Sequence, residues 1–201
     1  MSAFTLKLIA LVTMIIDHVG AIFFPQFIWL RYIGRLSMPI YAFLLVQGYM
    51  HTRNFNRYAL RMGIFALLSE VPYDLLFQGT WLEFQRQNIL FTFLTALFVV
   101  KLLDASAKSR NIFMFIGAVI LTILPYFLHF SYGVYGVLTV LCFYLFQKYR
   151  GIDAVAFAAL TYGQYTQDGN MTQLYAIAAA IPVLLYNGKR GALSLKYFFY
   201  I

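Results

Sequence analysis

Charge is what this chain has least of. Only 11% of its 201 residues are Asp, Glu, Lys or Arg, and seven are acidic. A soluble domain ordinarily carries about 25% charged residues. This chain is too poor in charge to cover a globule of its size with a solvated surface, which excludes a soluble enzyme. A single cysteine, Cys142, excludes an internal disulfide framework and any thiolate zinc or iron–sulfur centre. The three histidines, His18, His51 and His129, stand far apart without metal-ligand spacing, so no metal is expected. Linkers, repeats and low-complexity tracts are absent as well.

What is present is apolar. Hydrophobic residues make up 62% of the chain, and its mean hydropathy is +0.75. A spanning helix needs about 20 mainly apolar residues. The run between Arg110 and Lys148 contains 37 residues and no Asp, Glu, Lys or Arg, which is room for two such helices. Pro125, Tyr126, His129, Ser131 and Gly133 cluster near its middle and read as a turn at 125–133. Similar reading places spans near 6–24, 36–51, 58–78, 88–104, 111–128, 132–147, 154–167 and 171–187. The span 154–167 is short and polar, and is expected to be tilted or half-crossing. Leu8 to Ile16 runs on into Asp17 and His18 with no cleavage pattern, so it reads as a retained helix rather than a signal peptide. The expected fold is all-α: a polytopic membrane helix bundle of about eight transmembrane helices, forming one domain over 1–201.

Loop charges give the direction. A cytoplasmic N-terminus puts Lys7, Arg53, Arg57, Arg61, Lys101, Lys108, Arg110, Lys148, Arg150, Lys189, Arg190 and Lys196 inside, and only Arg31, Arg35 and Arg86 outside. The net charge of +8 and the pI near 9.6 thus encode orientation in a membrane. The basic residues come in short clusters between apolar runs and make no face for nucleic acid. Gly188-Lys189-Arg190-Gly191 lacks P-loop spacing and reads as a basic cytoplasmic turn.

Ionisable residues inside a bilayer are expensive and mark function. Here they concentrate in the first ninety residues: Asp17 and His18 in the first span, Glu70 and Asp74 in the third, Arg31 and Arg35 before the second, Arg86 and Asn88 before the fourth. The expectation is a polar pocket in the outer half, set against the bland alternative that Arg and carboxylate side chains merely neutralise one another. Asp17 and His18 point about 100° apart on a helix, so a residue from another helix, Asn88 or Glu70, is expected to orient the imidazole. Lys7 and His18 are eleven residues apart, three turns, and share one face with a rise of about 16 Å. That separation suits an extended cofactor with phosphates at one end and a reactive group at the other. Arg53, Arg57 and Arg61, four residues apart, read as a stripe suited to phosphate, or simply as positive-inside signals.

Several segments carry a resemblance: LKLIALVTMIIDHVGAIFFP, LRYIGRLSMPIYAFLLVQGYMHTRNFNRYALR, LLSEVPYD, RQNILFT, and the late YNGKRG and KYFFYI. With its DHxG, GRxxxP, SExPxD and QNxxFT runs in that order, the chain resembles the TraX family of integral-membrane proteins. Residues 111–167 match only in hydrophobic character. The resemblance implies acetyl transfer from acetyl-CoA, the family being named for a protein that acetylates the N-terminal amine of pilin. It is also similar to the acyltransferase-three group of membrane enzymes that decorate sugars. There His18 matches a first-helix histidine, Lys7 stands where that group has Arg, and Pro39, Ile40, Tyr41, Phe43, Gly48 and Tyr49 match a second run. Family relatives continue past a YFFYI-type segment into a Tyr-Pro-x-His motif and one more helix, which this sequence lacks.

The function expected is therefore a membrane-embedded acetyltransferase of the bacterial plasma membrane. It would move acetyl from cytoplasmic acetyl-CoA to a peptide or pilin amine or a sugar hydroxyl. His18 is the expected base, with Asp17, Asn88 and Arg35 beside it. Asn88 or Arg35 would stabilise the oxyanion. Lys7, Arg53, Arg57 and Arg61 would hold the CoA phosphates, and Glu70, Asp74 and Arg31 the acceptor. Two rivals stay open: a transporter or channel for a small charged solute, and a structural assembly subunit. Transport fits poorly with a second half that has no counterpart of the DH, GR or SExPxD runs.

Overall fold

The computed structural model describes residues 1–81, 83, 85–149 and 151–191. Arg150 and Lys196, two of the expected cytoplasmic charges, and the KYFFYI segment lie outside the described residues. Every regular element among the described residues is helical, as expected. In order these are α1 (Ala3–Ile22), α2 (Ile28–Gly34), α3 (Ser37–His51), α4 (Phe55–Phe77), α5 (Ile89–Ser109), α6 (Ile112–Phe127), α7 (Gly133–Phe146) and α8 (Ile152–Asp168). After them come α9 (Met171–Leu174), a 3-10 turn at Tyr175–Ala179, and α10 (Ala180–Leu184).

Short polar side chains start the long helices. Oδ1 of Asn54, Asn88 and Asn111 accepts from the N–H of Arg57, Leu90 and Phe113 at 3.0, 2.9 and 2.9 Å. Ser2 Oγ accepts from Thr5 N–H at 3.2 Å to start α1. Each satisfies an N–H that has no partner inside the helix, and replacing such a cap by Ala costs about 1 kcal/mol. Left-handed residues stop two of them: Arg110 (φ 52°) after α5 and Gly169 (φ 65°) after α8.

The segment 154–167, expected to be tilted or half-crossing, lies within an unbroken helix of 17 residues. The segment expected at 171–187 is helical over Met171–Leu184, winding as 3-10 at Tyr175–Ala179, and Pro182 brings no N–H to α10. Between the first two expected spans lies an element the sequence reading did not contain, the seven-residue α2. By length and composition two described helices are able to cross a membrane, α1 and α5. α6 and α7 are apolar but 16 and 14 residues long, and α4, at 23, carries Arg57, Arg61, Glu70 and Asp74.

The chain forms two compact units, Met1–Val46 with Cys142–Tyr200, and Gln47–Leu141. In the first, Leu6 and Ala10 of α1 and Met38, Ile40 and Ala42 of α3 are buried, and the Phe143 ring stacks on Phe157 and meets Phe43 edge-on. α1 and α2 approach closely at two glycines. A Cβ on Gly20 would meet Leu30 Cβ at 2.5 Å, and one on Gly34 would collide with the Asp17 side chain. The YNGKRG segment, read as a basic turn, caps α1: Ala3 N–H donates to Lys189 O at 2.8 Å and Phe4 N–H to Arg190 O at 3.1 Å. In the second unit α5 lies between α4 and α6, burying Ala59, Met62 and Ala66 of α4 and Ala96, Leu97 and Val100 of α5.

Glycine substitutions test this packing. Gly34→Ala is expected to destabilise the protein by about 1–3 kcal/mol by overpacking. Gly163→Ala, where a Cβ meets nothing within 4 Å, should stabilise α8 by about 0.5–1 kcal/mol. Chemical unfolding in detergent reads both, and equal effects of one sign would contradict the α1–α2 contact.

Candidate functional site

The motif residues assemble into polar clusters, each within one unit. In the first unit, Asp17 of α1 faces α2. Arg31 Nη1 donates to Asp17 Oδ2 at 2.7 Å and to Asp17 O at 3.1 Å. Gly34 leaves the space that the Asp17 side chain fills, and Arg35 closes α2 with its N–H on Arg31 O at 3.1 Å. The DH and GR runs are thus two halves of one joint. For Asp17 and Arg31 the neutralising alternative is what the structure contains: the arginine is spent on the carboxylate.

His18 sits next to this joint, half-buried. Its Nδ1 lies 2.7 Å from Met14 O, one turn back in α1. A carbonyl only accepts, so Nδ1 carries the proton and, in the neutral ring, the lone pair is on Nε2. The expected orienting residues, Asn88 and Glu70, are engaged with each other. The described contact that fixes the imidazole tautomer comes from its own helix.

In the second unit, the SExPxD and QNxxFT runs meet. Glu70 Oε2 accepts from Asn88 N–H at 3.1 Å and from Asn88 Nδ2, which also donates to Ala66 O at 2.8 Å. Asn88 Oδ1 meanwhile caps α5. One turn along α4, Asp74 Oδ2 accepts from Glu83 N–H at 2.7 Å. Both carboxylates are buried, Asp74 completely, and Glu70 Oε1 and Asp74 Oδ1 have no hydrogen-bond partner. No Lys or Arg pairs with either among the described residues, where the ion pairs are Arg31–Asp17 and Lys108–Asp104. Asp17 thus has a cation and these two carboxylates have none among the described residues, although Asp17 Oδ1 too is buried without a hydrogen-bond partner.

This geometry corrects two expected roles. Asn88 has two side-chain protons and one main-chain N–H, and all three are committed, so it has none for an oxyanion. Arg53 does not share a helical face with Arg57 and Arg61. Asn54 caps α4, which places Arg53 before the helix and leaves Arg57 and Arg61 as an exposed pair one turn apart. Lys101 of α5 lies over the Phe55 ring at 5.4 Å, so a further cation joins Arg53, Arg57 and Arg61 at the start of α4. Sequence reading counted Lys101 only as a loop charge. Its spacing within α5 does not reveal its neighbour.

Comparison with known proteins now bears on these clusters. The TraX family model, described as TraX protein, matches residues 2–201. The chain belongs to the TraX family. Over its whole length it is 26% identical to a Dichelobacter nodosus protein named "Probable fimbrial assembly protein FimC, serogroup H1", 90% of which is covered. It is also similar to an uncharacterised protein of Rickettsia prowazekii (strain Madrid E), with 31% identity over 85 residues, or 42% of this chain and 31% of that protein. No solved structure matches.

In this TraX-family chain the Glu70–Asn88 joint is expected to be strongly coupled. Asn88→Ala should cost about 2–3 kcal/mol or more, combining a lost helix cap with a buried carboxylate stripped of donors. Glu70→Gln with Asn88→Ala should cost less than the two singles together by at least about 1 kcal/mol. Strict additivity in unfolding experiments would show that the joint carries no energy of its own.

Proposed function

We propose that the chain is an integral-membrane acetyltransferase, a polytopic helix bundle of the bacterial plasma membrane with its N-terminus in the cytoplasm. The membrane part is supported by the exposed side chains. Phe113 of α6 and Leu67 and Leu68 of α4 are 79, 66 and 65% exposed, and Ile120 is 62% exposed. Apolar faces of this extent suit lipid and would aggregate in water. Membranes washed in alkaline carbonate should retain the protein in the pellet; release into the supernatant would overturn the membrane reading.

One observation carries the catalytic part: Met14 O holds His18 with its lone pair on Nε2, the state a general base needs at neutral pH. In the proposed reaction the acceptor amine or hydroxyl attacks the thioester carbonyl of acetyl-CoA while His18 Nε2 takes its proton. The carbon–sulfur bond then breaks, and the proton passes to the departing CoA thiolate. Arg35 is the proposed oxyanion donor, a role worth about 3 kcal/mol of barrier. Arg53, Arg57, Arg61 and Lys101 at the start of α4, with Lys7 of α1, are proposed to take the CoA phosphates. The N-terminus of a 23-residue helix favours an anion there as well. Glu70 and Asp74 are the proposed acceptor-side groups, since their unpaired oxygens are acceptors for an ammonium or hydroxyl donor. Asp17 and Arg31 hold the α1–α2 joint on which His18 sits. A distant likeness to the acyltransferase-three group agrees with the Lys7–His18 spacing and belongs to this proposal.

The second reading, an assembly subunit without chemistry, is favoured by the name of the Dichelobacter nodosus relative. Purified protein separates the two. With radiolabelled acetyl-CoA and a panel of peptide amines and sugars, His18→Ala should lower transfer at least 100-fold. His51→Ala should retain the wild-type rate, although His51 makes the same bond to Gln47 O at 2.8 Å. Desulfo-CoA should raise the unfolding temperature of wild type but not of Arg57→Ala/Arg61→Ala. Undiminished transfer by His18→Ala would falsify the mechanism, and no desulfo-CoA binding by folded wild type would leave the assembly reading.

A further inference from the structure

We infer that the loops preceding α5 and α7 form a binding site for a phosphate-bearing lipid headgroup, with Arg86 and His129 as its cations. The inference rests on the membrane location proposed above and not on acyl transfer. These loops border an open cavity of about 460 Å³ lined by Gln85, Arg86, Tyr126, His129, Ser131 and Tyr132, among others. None of the residues assigned to catalysis lines it.

The walls are held in place. Gln87 and Phe130 form an isolated bridge, with Gln87 N–H on His129 O at 3.2 Å and Ser131 N–H on Gln87 O at 2.9 Å. That bridge puts Arg86 and His129 on adjoining strands of chain. Ser131 is buried; its carbonyl accepts from Thr92 Oγ1 at 2.5 Å, and its hydroxyl meets Tyr73 OH at 3.2 Å. His129 (φ 54°) and Tyr132 (φ 64°) are left-handed without being glycine. Such backbone is strained, persists only where surroundings over-determine it, and gathers at ligand sites.

The chemistry of the lining selects the occupant. The side chains of Arg86 and His129 have no ion pair or hydrogen-bond partner among the described residues, and both residues are exposed and line the cavity. A guanidinium fork matches phosphate oxygens, and imidazole donates a further N–H. The rim is apolar: Tyr126 and Phe127 are each 68% exposed and continue the exposed side of α6 through Ile123 and Ile120. Aromatic rims at the end of an apolar helix are the setting of lipid headgroups. A free anion needs the two cations but has no use for that rim. A lipid uses both, with its phosphate in the cavity and its chains along α6.

The test uses full-length protein in detergent and three probes: dihexanoyl phosphatidylglycerol, dihexanoylglycerol without phosphate, and inorganic phosphate. The expected result is saturable thermal stabilisation by the phospholipid alone. In Arg86→Gln/His129→Gln its half-saturating concentration should rise at least tenfold, while the ligand-free unfolding temperature stays near wild type. Stabilisation by dihexanoylglycerol to the same extent would overturn the role of the cations. Full stabilisation by inorganic phosphate would overturn the lipid. An unchanged response in the double variant, or none in wild type, would overturn the site. If the double variant fails to fold, Arg86→Lys, which keeps the charge and loses the fork, is expected to weaken binding by several-fold, and unaltered binding overturns the proposal. Failure here with the protein still in the carbonate pellet counts against this site and leaves the membrane reading intact.

Discussion

Glu70 Oε2 is the atom on which the second unit turns. A carboxylate taken out of water needs donors, and two from Asn88, its main-chain N–H and its side-chain amide, converge on this one. Because Asn88 also caps α5, the same residue that satisfies the carboxylate decides where α5 begins. Its neighbour Gln87 carries the bridge to Phe130, so the hairpin between α6 and α7 is held to the same point. Breaking the Asn88–Glu70 contact therefore unseats a cap, a carboxylate and a loop together.

The first unit answers the same need with charge rather than amide donors. Asp17 is paired to Arg31, and glycine at position 34 makes the space for it. The difference has functional weight. A carboxylate already matched by a guanidinium has little left for a substrate. Each of the three carboxylates keeps one buried oxygen without a hydrogen-bond partner, but among the described residues Glu70 and Asp74 have no cation beside them. Buried charge without a partner is costly, and chains retain it where something else supplies the partner. On the acetyltransferase reading that partner is the acceptor.

How much of this was legible depends on whether an interaction is local. The helices were visible because apolar run length acts within a few positions; α5, expected from 88, begins at Ile89, behind a cap that the reading of runs did not use. Lys7 and His18 were placed on one face by helical repeat alone. The role of Asn88 was misread because its type announced a donor, and only the position of Ala66 O and Glu70 Oε2 shows where its protons go. Arg53 was misassigned by a regular four-residue spacing that runs across a cap, where the helix has not yet begun. α2 went unseen because seven residues are too few to form a periodic signal, although it supplies Arg31 and Gly34.

A family resemblance set the DHxG, GRxxxP, SExPxD and QNxxFT runs side by side, while composition and pattern by themselves determined that this chain is helical and that its ionisable residues gather in the first half. Those properties follow from backbone repeat and from the scarcity of charge, which each stretch of chain carries within itself. The tertiary structure alone decided which run meets which: DH with GR, SExPxD with QNxxFT. It alone separated Asp17, which has a guanidinium partner, from Glu70 and Asp74, which have no cation among the described residues. Hydrogen-bond partners fourteen to eighteen residues apart are chosen by packing, and no local rule contains that choice.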